Sequence, residues 1–225
     1  MAIATGLIGV RPSEDVSRVQ RTLNVAILMF PGVEVLDFAG PFEVFSVASR
    51  VASRDGDFRF VPFATQLVGV KSGIIRTRHD LSVGVHSDIA ALAPQDVVVI
   101  PGGDMAEPLS NPAIAEWLVK AHHQSAVTAS VCTGALLLAK AGLLDGLVAT
   151  THWEDLKHLK TLAPHAEVRG GVPWVDRGHI VTSGGISAGI DMCLHLVERL
   201  ASADLACRTA RQMEYHWRHG AELGR

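Results

Sequence analysis

VTASVCTGALLLAKA, residues 127–141, is the stretch on which the fold turns. Val127 to Val131 reads as a buried strand and Gly134 to Ala141 as a helix, leaving only Cys132 and Thr133 to join them. A strand that passes into a helix through so short a joint makes a sharp elbow. Such an elbow needs small residues two before and two after its apex, and Ser130 and Gly134 meet that need around Cys132. The helix that starts there would aim backbone N–H groups at the sulfur, which is expected to favour the thiolate. The alternative is an inert buried cysteine, the role expected of Cys193 and Cys207.

Outward from the elbow, strand and helix alternate. NVAILMF, residues 24–30, is an apolar β-rich run stopped by Pro31-Gly32, and DVVVI, residues 96–100, runs straight into Pro101-Gly102-Gly103. A helix is expected over Gly40 to Arg50 with Pro41 in its first turn, then a strand over Phe58 to Ala64 and a strand meander between Leu67 and His86. Pro112 to His123 places Ile114, Trp117, Leu118 and Ala121 on one helical face. Later come an amphipathic helix over His152 to Leu162, a hairpin over Val172 to Val181 turning at Asp176-Arg177-Gly178, and helices over Ile186 to Leu200 and Asp204 to Trp217. Alternation of this kind implies an α/β fold, a doubly wound and mostly parallel sheet with helices on both faces. The chain reads as one domain, residues 23–225, after an N-terminal extension, residues 1–22, that is expected to be flexible and shows no signal-peptide pattern.

Composition narrows the function classes. The 225 residues are 48% hydrophobic, with 20 Lys and Arg against 23 Asp and Glu and no long run of either sign. A basic footprint for nucleic acid is missing, as is an apolar run long enough to span a membrane, so neither partner is expected. Three cysteines without CxxC spacing suit a reducing cytoplasm. Glu214, His216 and His219 fit no strong zinc pattern, and no metal is expected.

In doubly wound sheets ligands bind beyond the carboxyl ends of the strands, where Asp37, Gly102-Gly103 and Cys132 all fall. Asp37 sits among apolar residues in VLDFAGP; it reads either as a cap for the helix near Pro41 or as a carboxylate whose raised pKa suits proton exchange. Gly102-Gly103 reads either as a tight turn or as a source of backbone N–H donors which, with Thr133, would face charge developing on a substrate. His152 is a secondary candidate, as a base for Cys132 or as a helix-start histidine capped by Thr151.

Taken together, FPGVEVLDFAGPFEVF, VVVIPGG, SVCTGALLLAKAGLLDG, ATTHW and VTSGGISAGIDM resemble the ThiJ/PfpI superfamily, related to class I glutamine amidotransferases, over residues 23–217. Within it the pairing of LDFAGP with VCTGALLLA most resembles the isonitrile hydratases and the sensor domains of AraC-type regulators. The resemblance implies a flavodoxin-like fold, Cys132 as nucleophile, Asp37 as its acidic partner, Thr133 beside the nucleophile, and Gly103 with Thr133 as backbone donors. It also implies a small-molecule substrate, no cofactor and a homodimer; Trp117, Trp153, Trp174 and Trp217 read equally as core or as interface anchors. The PfpI-type peptidases carry a histidine directly after the cysteine, where this chain has Thr133, so peptidase activity is not expected. Nor does a basic recognition helix follow the α/β region, which speaks against a DNA-binding regulator. The expectation is an isonitrile hydratase; the alternatives are a redox or electrophile sensor and a glyoxalase-like or deglycase-like enzyme.

Overall fold

The computed structural model describes residues 21–56 and 59–218, so nearly all of the N-terminal extension lies outside the described residues. In chain order the elements are β1 (Leu23–Met29), α1 (Val35–Asp55), β2 (Phe63–Gly69), β3 (Gly73–Arg76), β4 (Ser82–Val85), β5 (Ser87–Asp88) and β6 (Val97–Ile100). There follow α2 (Ala106–Ser110), α3 (Pro112–Gln124), β7 (Val127–Ser130), α4 (Ala135–Lys140), β8 (Val148–Ala149) and α5 (Leu156–Leu162). The chain closes with β9 (Glu167–Val168), β10 (Trp174–Asp176), β11 (Ile180–Ser183), α6 (Ala188–Leu200) and α7 (Ala203–Gln212).

The main sheet has the order β10-β11-β7-β6-β1-β2-β5. Every pairing is parallel except β10 with β11, the expected hairpin. Strands covered on both faces favour apolar or small residues, and Val25 to Met29, Val97 to Ile100 and Val127 to Ser130 are buried without interruption, Thr128 and Ser130 included. Helices α1, α6 and α7 pack on one another as one layer, while α4 touches both α2 and α5 on the other side of the sheet. Trp117 and Trp174 belong to the core, whereas Trp153 is 72% exposed. Among the described residues no helix is long and apolar enough to cross a membrane.

Four boundaries differ clearly from expectation, one being α5, which starts at Leu156 after a separate turn at Trp153–Asp155 and not at His152. Helix α1 begins at Val35, so Asp37 lies in its first turn and Pro41 lies inside the helix, where the ladder lacks only the bond residue 41 would give to the carbonyl of Asp37. Strand β2 is displaced toward Gly69 because pairing with β1, from Leu23↔Phe63 to Met29↔Gly69, sets its limits, and the half-buried Thr65 and Gln66 fall inside it. Helix α7 stops at Gln212, short of Trp217.

The chain leaves β1 toward β2 on one side and returns to β6 on the other. The crevice above the ends of β1 and β6 is therefore the point where strand order reverses, the place where such sheets open to ligands.

Candidate active site

Three loops meet at this crevice. After β1, Pro31-Gly32 turns the chain, Val33 bridges to Gly103, and α1 starts at once, which carries the side chain of Asp37 inward until none of it is exposed. After β6, the Gly102 N–H donates to Asp37 Oδ2 at 3.0 Å and the Gly103 N–H donates to Thr133 Oγ1 at 3.0 Å. A side chain at residue 102 is impossible without displacing the site, since its Cβ would lie 2.5 Å from Thr133 Oγ1 and 2.8 Å from Asp37 Oδ2.

After β7 comes the elbow. Cys132 has φ 56°, a left-handed conformation that is strained for a residue with a side chain. The surroundings hold it there: its N–H donates to the Gly184 carbonyl at 3.2 Å, and its carbonyl accepts from Thr151 Oγ1 at 2.8 Å. Gly134 lets the turn close, because a Cβ at that position would run into the carbonyl oxygen of Ile100. The small residue anticipated two after the cysteine thus has a physical reason.

The thiol faces the Asp37 carboxyl group. The contact is loose: it weighs on the proton affinity of both groups but leaves Asp37 Oδ1 without a closed hydrogen bond. Burial pushes Asp37 up to about 7, with the Glu34 charge adding to it, while the Gly102 N–H and the thiol pull the other way. Burial, reinforced by the negative charge of Asp37, pushes the Cys132 thiol up to about 12, although the N–H groups of Thr133 and Ile186 reach the sulfur and oppose the rise. The expectation that the helix start would favour a thiolate fails here. Helix α4 is one of the shortest among the described residues, and the cost of charging the sulfur of a residue that is 7% exposed exceeds what two amides return.

The donor set differs from the expected one as well. The amides of Gly102 and Gly103 are already spent on the side chains of Asp37 and Thr133, so neither is free to face a substrate. The N–H groups at the sulfur belong to Thr133 and Ile186. Ile186 is a β-branched residue at φ 44°, a second strained position within the same site. Sequence reasoning missed Ile186, Gly184 and Thr151 as site residues, although VTSGGIS and ATTH stood among the family motifs. The parallel pairing of β11 with β7, Thr182↔Ser130, brings Gly184 and Ile186 beside Cys132, and the Thr150 N–H, donating to Thr182 Oγ1 at 2.9 Å, brings Thr151 in next to them.

His152 reaches the same cavity as Cys132 and Thr133, about 650 Å³ in volume. It caps the short helical turn Trp153–Asp155, its Nδ1 accepting from the Glu154 N–H at 3.4 Å, with the carboxylates of Glu154 and Asp155 at 3.6 and 3.7 Å. Thr151 does not cap it, being engaged with Cys132.

A strained cysteine elbow with a buried carboxyl partner on a doubly wound sheet defines a class of protein, and the comparison with known families agrees: residues 23–199 match the DJ-1/PfpI family, and the chain belongs to it. Among characterised relatives it is 34% identical over 198 residues to the isonitrile hydratase of Pseudomonas putida, covering 86% of this chain and 78% of that one. It is 29% identical over 187 residues to the HTH-type transcriptional regulator CdhR of Pseudomonas aeruginosa, covering 82% of this chain but 53% of the regulator. A ThiJ/PfpI family protein from Pseudomonas syringae superposes with a TM-score of 0.79 at 21% identity, over 98% of this chain and 86% of that one, which supports the flavodoxin-like fold.

Proposed function

We propose that this protein is a cysteine-dependent isonitrile hydratase, converting an isonitrile and water to an N-substituted formamide. The observation that carries the proposal is the pairing of the Cys132 thiol with a fully buried Asp37 carboxyl at about 7, at the floor of a cavity. Addition of a thiol to an isonitrile requires a nucleophile and a proton delivered to the same carbon. A carboxyl near 7 exists in both protonation states at neutral pH, so it can accept the thiol proton as the sulfur bonds to carbon and release it again.

In this reading the sulfur bonds to the terminal isonitrile carbon while its proton passes through Asp37 to that carbon, giving a thioimidate, R–N=CH–S–Cys132. The N–H groups of Thr133 and Ile186 steady the sulfur as its charge changes. Water then adds across the C=N bond, its hydroxyl to carbon and a proton to nitrogen. The C–S bond breaks, the proton of the new hydroxyl returns through Asp37 to sulfur, and R–NH–CHO leaves. Atoms balance with water as the only co-substrate. The Thr133 hydroxyl is assigned to positioning, holding the Gly103 loop against the elbow.

The similarity to a regulator raises a sensor reading, but oxidant sensing relies on a thiolate at rest, and burial together with the Asp37 charge raises the Cys132 thiol, which works against that state. Formamide should form from cyclohexyl isonitrile with the wild-type protein and not with Cys132→Ser. Undiminished product from the variant, or none from the wild type while methylglyoxal is consumed, would replace this reading with another. A cytoplasmic homodimer belongs to the same proposal; light scattering that returns only monomer removes the dimer.

A further inference from the structure

The cavity above Cys132 is ringed by charges that the chemistry does not use. Asp104 enters from the loop after β6, while Glu154 and Asp155 enter from the turn before α5. Glu34, at the start of α1, and Arg78, between β3 and β4, complete the ring and face each other at 3.6 Å, so the one cation among the lining residues is matched by a carboxylate. His152 and His158 are the remaining titratable groups at the mouth. Glu154 and Asp155 flank His152 at 3.6 and 3.7 Å, and with Asp104 and Glu34 they set four carboxylates against the single Arg78 guanidinium around the path to the sulfur. Low-dielectric walls concentrate the field of such a ring instead of dispersing it.

We infer that this mouth is an electrostatic filter: it favours substrates whose organic group carries a positive charge and turns away those that carry a carboxylate. The substrate class rests on the hydratase reading, whereas the sign of the field at Cys132 does not. That sign can be measured without turnover.

The experiment uses the full chain with Cys207→Ser, which removes the exposed thiol; Cys193 is buried. Cys132 is modified at pH 9 by methanethiosulfonates bearing a trimethylammonium, a methyl or a sulfonate group. Each forms a mixed disulfide with release of methanesulfinate, and mass spectrometry follows the rates. In low salt the cationic reagent should outpace the anionic one by about tenfold or more after correction for their rates with a free thiol. The ratio should shrink toward one in about 0.5 M salt, as screening shortens the reach of the field. It should also fall at least about threefold in Glu154→Gln/Asp155→Asn, an estimate for removing most of a ring that steers by at least tenfold. A ratio near one, an inverted ratio, a ratio indifferent to those substitutions, or a Cys132 that no reagent reaches would each overturn the filter. In parallel, alkyl isonitriles ending in ammonium, methyl or carboxylate are offered as substrates, and kcat/KM should decline in that order. No turnover of any of them, with the modification ratio intact, would sink the hydratase reading and leave the filter standing.

Discussion

Asp37→Asn separates the cost of the site from its use. In the folded protein the Asp37 carboxyl titrates at about 7 against an ordinary value of 3.8, because burial disfavours its charge. Between those two values the unfolded chain has given up the proton that the folded chain keeps, so stability falls as pH rises. The contribution is intact below pH 3.8 and is lost as pH passes through about 7. At about 1.4 kcal/mol per pH unit the whole loss is about 4 kcal/mol, of which about 3 kcal/mol falls between about pH 5 and pH 8. Asparagine can still accept from the Gly102 N–H and carries no charge to desolvate, so the variant should escape that loss. Urea unfolding at the two pH values should show Asp37→Asn gaining on the wild type by about 3 kcal/mol, or about 6–12 °C in Tm for a chain of this size. Formamide production should fall by two orders of magnitude or more, to about 1% or less of wild type, as a proton-relay group is lost. If the stability difference between variant and wild type stays constant within about 0.5 kcal/mol from pH 5 to pH 8, an allowance for fitting error, then Asp37 is not a buried group near 7 and the reasoning fails.

Other substitutions probe the frame. Thr151→Val removes the hydroxyl that holds the Cys132 carbonyl at 2.8 Å; it should cost about 1–3 kcal/mol in chemical denaturation and lower kcat more than it raises KM. Gly134→Ala forces a methyl onto the Ile100 carbonyl and should give insoluble protein or a Tm lower by at least about 10 °C, the effect of roughly 3–5 kcal/mol on a chain of this size. Iodoacetamide at pH 7 should label Cys207 and spare Cys132, and the Cys132 rate should climb about tenfold per pH unit above pH 8, since its thiol lies near 12; peptide mapping would reveal the opposite order if the thiol were activated at rest.

Much of this was legible before any coordinates. The buried strand at Val97–Ile100 carries an unbroken apolar run, and the elbow announces itself because Cys132 stands between the small-residue strand Val127–Ser130 and a helix, with Ser130 and Gly134 around it. What was not legible is non-local. The start of α1 was misplaced because Pro41, a frequent opener of helices, here sits inside one. The amides of Gly102 and Gly103 were read as free donors because nothing along the chain tells that Asp37 and Thr133 would claim them. Ile186 reaches the sulfur only after β11 has paired with β7, a juxtaposition of residues far apart in sequence. The state of the thiol was misjudged for a related reason: the dipole of a helix start can be read locally, but the depth of burial that outweighs it cannot.

The two consecutive amides at Gly102 and Gly103 grip one side chain from α1 and one from the elbow. The Asp37 carboxyl and the elbow that carries Cys132 therefore ride on a single bracket at the tip of β6. Should that tip shift as a molecule enters or leaves, both would travel with it, and the gap between carboxyl and sulfur would change less than the walls around them. Two groups held by one turn keep their spacing as a property of the backbone, whatever the side chains above them do.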